Sequence, residues 1–233
     1  MKPYLTATIQ GEDYAIPNPE YWKEQHKRKY EILLKKSNIP QNYWDLDFDD
    51  YEGELSVASK DKAVQYAQKC QEEKFHNVSL YMHGQWGTQK SMISCAIGKE
   101  FIRQGLSVKF VYAGELIDLL LKSQGFEYHK ELEKEVDFYT HVDLLIIDDI
   151  FDKNKSVYWK KSPELIVASW DTFLRRRISE DRRTILNSNF SLEAIKEEFG
   201  ESIYELLNRN FVSLTFFDEI SKTRKKRFEG LWD

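Results

Sequence analysis

Short apolar runs alternate with stretches whose apolar positions recur every three to four residues, and this alternation holds from Val78 to Phe217. Val78, Leu80, Tyr81 and Met82 read as a buried strand, and Met92, Ile93, Cys95, Ala96, Ile97, Phe101 and Ile102 behind them carry helical spacing. After Gln104-Gly105, Val108 to Tyr112 is a second strand, and Gly114-Glu115 opens a helix over Leu116, Ile117 and Leu119 to Leu121 that Gly125 closes. Phe126 to Tyr139 is charged and weakly helical, and Val142 to Ile147 is a fully apolar strand stopping at Asp148-Asp149. Ser162-Pro163-Glu164 starts a helix through Leu174, Thr184 to Asn189 is a short strand with a polar tip, and Ser191 begins a helix that Gly200 breaks. Glu201 to Arg209 is a further helix and Phe211 to Phe217 the last strand. Strands alternating with helices predict an α/β fold with a parallel sheet and right-handed crossovers.

Ahead of this core the pattern differs. Residues 1–18 read as an irregular or short extended arm, and Asn18-Pro19-Glu20 starts a helix with Tyr21, Trp22, Tyr30, Ile32, Leu33 and Leu34 among many charges up to Lys36. That helix is either a solvated face packed on the core or a docking element for a partner. Ser37 to Gln41 is a linker, Tyr43 to Tyr51 alternates apolar with acidic residues as an extended segment would, and Ser59 to Glu73 is a helix. The boundaries predicted are residues 1–41 for the arm and helix, 42–220 for the core, and 221–233 for a basic tail.

Composition narrows the classes. A net charge of −5 over 233 residues excludes a surface coated in positive charge, so any nucleic-acid contact is local. Cys70 and Cys95 stand at no metal-ligand spacing, and no apolar run reaches membrane-spanning length. A cytoplasmic protein without a membrane partner is the expectation.

The chemistry lies where the strands end. Gly84-Gln85-Trp86-Gly87-Thr88-Gln89-Lys90-Ser91 joins the first core strand to its helix, the setting of a phosphate-binding loop. In that role backbone N–H groups cradle the β-phosphate, Lys90 reaches the β/γ oxygens and the Ser91 hydroxyl ligates Mg²⁺. The motif G-x-x-x-x-G-K-S/T asks for glycine where Gln89 stands, so an ordinary Gly-rich turn is the competing reading. Asp148-Asp149, at the end of another buried strand, favours the nucleotide reading: Asp148 would hold Mg²⁺ and Asp149 would polarise a water for attack on the γ-phosphate. An asparagine at the polar tip of the Thr184 to Asn189 strand would sense the γ-phosphate or position that water.

The set and order of these motifs resemble the DnaC/DnaI/IstB group of AAA+ ATPases over roughly residues 37–220. Ser37-Asn38-Ile39-Pro40 with Phe48 and Tyr51 is similar to the start of that group's ATPase core, Ile146 to Asp149 to its second Walker motif, and Asn187-Ser188-Asn189 to its Thr-Ser-Asn sensor, making Asn189 the sensor. The resemblance implies a P-loop NTPase with an AAA+ core, preceded by a short helical N-terminal segment. It implies ATP and Mg²⁺ as cofactors, a replicative DnaB-type helicase and single-stranded DNA as partners, and self-assembly into a ring or spiral. It also points to Phe126, Tyr128, Lys130 and Arg175, Arg176, Arg177 as DNA contacts, aromatics to stack bases and cations to meet phosphate. Three departures stand out: Gln89, Glu201-Ser202 where the group carries a Ser-Arg pair (with Arg209 the nearest substitute), and no cysteines for an N-terminal zinc domain. The leading reading is a helicase loader or remodeller, phage- or mobile-element-encoded. Its alternatives are a transposase helper ATPase and a nucleotide-sensing, non-catalytic module that mimics or inhibits a host loader. A small-molecule P-loop kinase fits the Asn189 strand tip less well.

Overall fold

The computed structural model describes residues 2–9, 12–123, 130–153, 159 and 161–217. Strands β1 (Tyr4–Ile9) and β2 (Glu12–Pro17) form an antiparallel hairpin, with Leu5 opposite Ile16 and Ala7 opposite Tyr14. The extended arm read from the sequence is thus a paired element. Helix α1 (Pro19–Lys36) follows, its first turn capped by the Asn18 side chain, which accepts from the Glu20 and Tyr21 amides.

Five parallel strands form the sheet: β3 (Ser79–His83), β4 (Val108–Tyr112), β5 (Leu144–Asp148), β6 (Arg183–Ser188) and β7 (Phe211–Thr215). Their order across the sheet is β4-β5-β6-β3-β7. The predicted parallel α/β architecture stands. Alternate residues of each strand serve opposite cores. Leu80, Met82, Leu144, Ile146 and Ile185 face α1, α2 (Val57–Gln68) and α3 (Lys90–Arg103). Tyr81, Leu145, Ile147 and Leu186 face α4 (Ala113–Ser123), α5 (Lys130–His141), α6 (Pro163–Ser179), α7 (Leu192–Phe199) and α8 (Glu201–Asn210). The central strands β3, β5 and β6 are buried throughout, which explains the continuous apolar runs of β3 and β5.

Two local expectations change. The segment from Ser37 onward is no free linker: Ser37 and Ile39 are buried, and the Ser37 carbonyl accepts from the Phe110 amide on edge strand β4 at 2.7 Å. Tyr43 to Tyr51 is not extended but holds 3-10 turns at Gln41–Tyr43 and Phe48–Asp50. Asp47 and Asp50 cap the second turn reciprocally, a local bond set that outcompetes the strand geometry suggested by alternation. The turns are pinned by Lys99 on α3, only 1% exposed, whose ammonium donates to the carbonyls of Tyr43, Trp44 and Leu46.

Candidate nucleotide site

All five strands run in one direction, so their C-terminal ends share one edge, and register sets Met82 beside Asn187, His83 beside Ser188, and Tyr112 beside Asp148. The loop after β3 therefore opens beside the end of β6, with the end of β5 one strand further on, the edge where parallel sheets of this kind bind ligands. Gly84 leads the loop with φ 149°. A Cβ there would sit 1.9 Å from the Phe216 carbonyl oxygen, so only glycine lets the backbone just after β7 close against the loop.

Lys90 sits at the first turn of α3 and is 7% exposed. Its ammonium donates to the carbonyls of Gly84 (2.6 Å) and Gln85 (2.8 Å), to Thr88 Oγ1 (3.2 Å) and to Asn189 Oδ1 (3.3 Å). Burial pushes its pKa down to about 8, against the opposing pull of Asp148 and Asp149. A buried cation facing a ring of neutral oxygens is a site that an anion stabilises.

Ser91 Oγ donates to both carboxylate oxygens of Asp148, at 2.8 and 3.0 Å. Asp148 is 6% exposed, and burial pushes its carboxyl up while bonds from Asn187 and Ser91 hold it down. Hydroxyl and carboxylate are hard oxygen donors, the set Mg²⁺ takes together with phosphate and water, so the residues present fit that ion. Among the described residues no three His, Cys, Asp or Glu side chains cluster to hold a metal by themselves. Asp149 follows in the left-handed region with φ 59°, and turns of this kind gather at functional sites.

The sequence-based candidates divide accordingly. Gly84 through Ser91, Asp148, Asp149 and Asn189 converge on one edge. Asn187 was visible only as part of the sensor tripeptide, yet its Nδ2 donates to Asp148 Oδ1 and to Ser94 Oγ, both at 2.8 Å. A polar residue facing the carboxylate across β5 and β6 would have been found by matching strand registers, which sequence does not supply.

The proposed DNA contacts fare differently. Arg177 is fully buried: its guanidinium donates to the carbonyls of Tyr139, Thr140, Val142 and Arg183 and to Thr184 Oγ1. It cannot meet DNA, and its expected role there is withdrawn. Helical spacing turns the third arginine of the run inward while Arg175 and Arg176 stay exposed, paired with Asp171 at 2.7 Å and Asp137 at 3.2 Å. Lys130 is exposed at the start of α5, and Phe126, Tyr128 and the tail lie outside the described residues. Arg209 is exposed on α8 and paired with Glu205 at 2.6 Å. Arg175 Nη2 lies 3.4 Å from the Ser202 hydroxyl.

A doubly covered parallel sheet with a lysine-serine loop on one strand and an aspartate on another defines a P-loop ATPase fold of the AAA+ type. The comparisons agree. A family model described as IstB-like ATP binding protein matches residues 19–205, and the chain belongs to that family. It is 27% identical over 196 residues to the replicative helicase loader DnaC of Buchnera aphidicola subsp. Acyrthosiphon pisum, covering 83% of this chain and 76% of that protein. To DnaC of Escherichia coli K12 it is 26% identical over 201 residues, covering 84% and 76%. A crystal structure of DnaI superposes with a TM-score of 0.57 at 21% identity, over 76% of this chain and 90% of that one, a likeness of fold.

Proposed function

We propose that this chain is an ATP-dependent loader or remodeller of a hexameric replicative helicase of the DnaB type, acting on single-stranded DNA. The observation that carries the reading is the Ser91–Asp148 contact beside the buried Lys90 ammonium, in a chain that matches replicative helicase loaders over most of their length.

In this reading ATP lies along the loop from Gly84 to Ser91. Backbone N–H groups and the α3 N-terminus receive the phosphates, and Lys90 exchanges its carbonyl partners for phosphate oxygens. Ser91 and Asp148 would hold Mg²⁺, which when bound supplies charge neutralisation of the phosphates. Asp149 orients the attacking water, and Asn189, beside the Lys90 ammonium, reports whether a γ-phosphate is present. Hydrolysis then changes affinity for partner and DNA. The hairpin and α1 present Tyr4, Leu5, Tyr14, Ile16 and Trp22 to solvent and suit helicase docking. Lys130, Arg175 and Arg176, with Phe126 and Tyr128, would line the DNA path when copies assemble in a ring or spiral.

Gel filtration of the chain with a DnaB-type hexamer, with and without ATP, Mg²⁺ and single-stranded DNA, tests this. A complex whose stability follows the nucleotide is expected. No complex in any state, or ATP-dependent assembly on duplex DNA with no helicase engagement, would overturn the loader reading, the second outcome in favour of a transposition helper.

A further inference from the structure

Gln89 stands where the phosphate-loop pattern places glycine, and it is not merely tolerated. Its backbone adopts the left-handed conformation that glycine would supply, φ 61° and ψ 20°. Its side chain is engaged elsewhere: Oε1 accepts from the Glu52 amide at 3.0 Å, across 37 residues of sequence. A glycine could not make that bond.

Glu52 belongs to a strap, residues 51–56, that leads into the first turn of α2, and strap and turn are stitched to the site at several points. The buried Tyr51 ring stacks edge-on against Phe216, with centroids 6.1 Å apart, and the Phe216 carbonyl is the atom seated against Gly84. The Phe217 amide donates to Ser56 Oγ at 2.8 Å, and Ser59 Oγ donates to the Thr215 carbonyl at 2.7 Å. Both ends of the phosphate loop are thereby fixed to one strap, Gly84 through Phe216 and Gln89 directly.

We propose that Gln89 is a positioning residue that fastens the phosphate loop to the strap and so raises nucleotide affinity. The inference rests on the reading of this loop as an ATP site. A loop already held at both ends loses less freedom on closing around phosphate. Restoring the motif glycine removes the fastening and adds backbone freedom, so it weakens binding rather than improving it.

The test is a titration of the 233-residue chain with a fluorescent ATP analogue and Mg²⁺. Gln89→Met keeps the side chain's length and removes the acceptor, and Glu52→Pro removes the donor. Each is expected to weaken binding about three- to ten-fold, the cost of ordering the freed side chain and loop when phosphate binds. Gln89→Gly weakens it at least as much. The double variant Gln89→Met/Glu52→Pro is no weaker than either single one, because both remove the same bond. Hydrogen exchange at the Glu52 amide, slow in the wild type and faster in Gln89→Met, reads the fastening without nucleotide, and thermal melting confirms that the variants fold. Equal or tighter binding by Gln89→Met and Gln89→Gly, additive losses in the double variant, or unchanged exchange at Glu52 each overturn the inference while the wild type still binds the analogue. A wild type that shows no saturable binding overturns the ATP-site reading, and this inference with it.

Discussion

Asn187 does its work from inside the sheet. Its Nδ2 holds Asp148 and Ser94 together, while its Oδ1 is buried with no partner among the described residues. Replacing it with leucine removes both bonds and leaves the buried carboxylate leaning on Ser91. Asn187→Leu is expected to cost about 1–3 kcal/mol in urea denaturation and to raise the Mg²⁺ concentration needed for nucleotide binding. His83, just ahead of the loop and 8% exposed, lies 3.0 Å from Thr215 Oγ1, and burial pushes its pKa down. Its folded-state pKa lies below the usual histidine value, so the unfolded chain binds the extra proton first. The neutral form's stability is present above that usual value, about 6.5, and is lost as pH falls through it toward the folded pKa. The stability difference between wild type and His83→Gln, followed from pH 8 to pH 5, should therefore shift against the wild type on acidification; a flat difference would rule this out.

At the level of elements, cations buried on helices act as bolts. Lys99 fastens the turns of residues 41–50 to α3, and Arg177 ties the end of α6 to the β5 and β6 entrances. Arg177→Met should lose about 2–4 kcal/mol, leaving carbonyls without a donor, while the folded variant's affinity for single-stranded DNA stays unchanged. Lys99→Met should open the 41–50 segment to limited proteolysis ahead of global unfolding. These bolts also mark where sequence reading stops. The five core strands followed from their apolar runs, and the helices around them from apolar periodicity together with cap residues and glycine stops, while α5, mostly charged, gave only a weak helical signal. Glycine and lysine-serine placed the phosphate loop, and the apolar strand ending in Asp148-Asp149 placed the opposing carboxylate. Arg177 read as a surface charge since nothing local distinguishes a buried guanidinium from a solvated one; its partners are carbonyls of the segment 139–142 and of Arg183. The Asp47 cap and the Gln89–Glu52 bond were hidden for the same reason, being set by geometry between residues and not by composition.

Taken whole, the molecule carries the β1–β2 hairpin and α1 ahead of the doubly covered sheet, and α1 packs on the core through buried Leu34. The hydrogen bonds described between the hairpin and its surroundings run to Asn18, from which the Asn18 amide donates to the Pro3 carbonyl and Asn18 Nδ2 to that of Lys2. Exposed Leu5, Tyr14 and Ile16 add little to the core. Deleting residues 1–17 is expected to move the melting midpoint by no more than about 2 °C yet abolish helicase capture; a large fall in the midpoint would assign the hairpin to the core instead. Among the described residues no helix is long and apolar enough to cross a membrane.

Equilibrium binding of ATP in the presence and absence of Mg²⁺, for the wild type, Lys90→Ala and Asp148→Asn, bears on all of this at once. The wild type should bind one nucleotide saturably, Lys90→Ala about thirty-fold more weakly through loss of a charged hydrogen-bond donor worth about 2 kcal/mol, and Asp148→Asn with its Mg²⁺ dependence gone. A wild type that does not bind, or a Lys90→Ala variant that binds equally well, would contradict it.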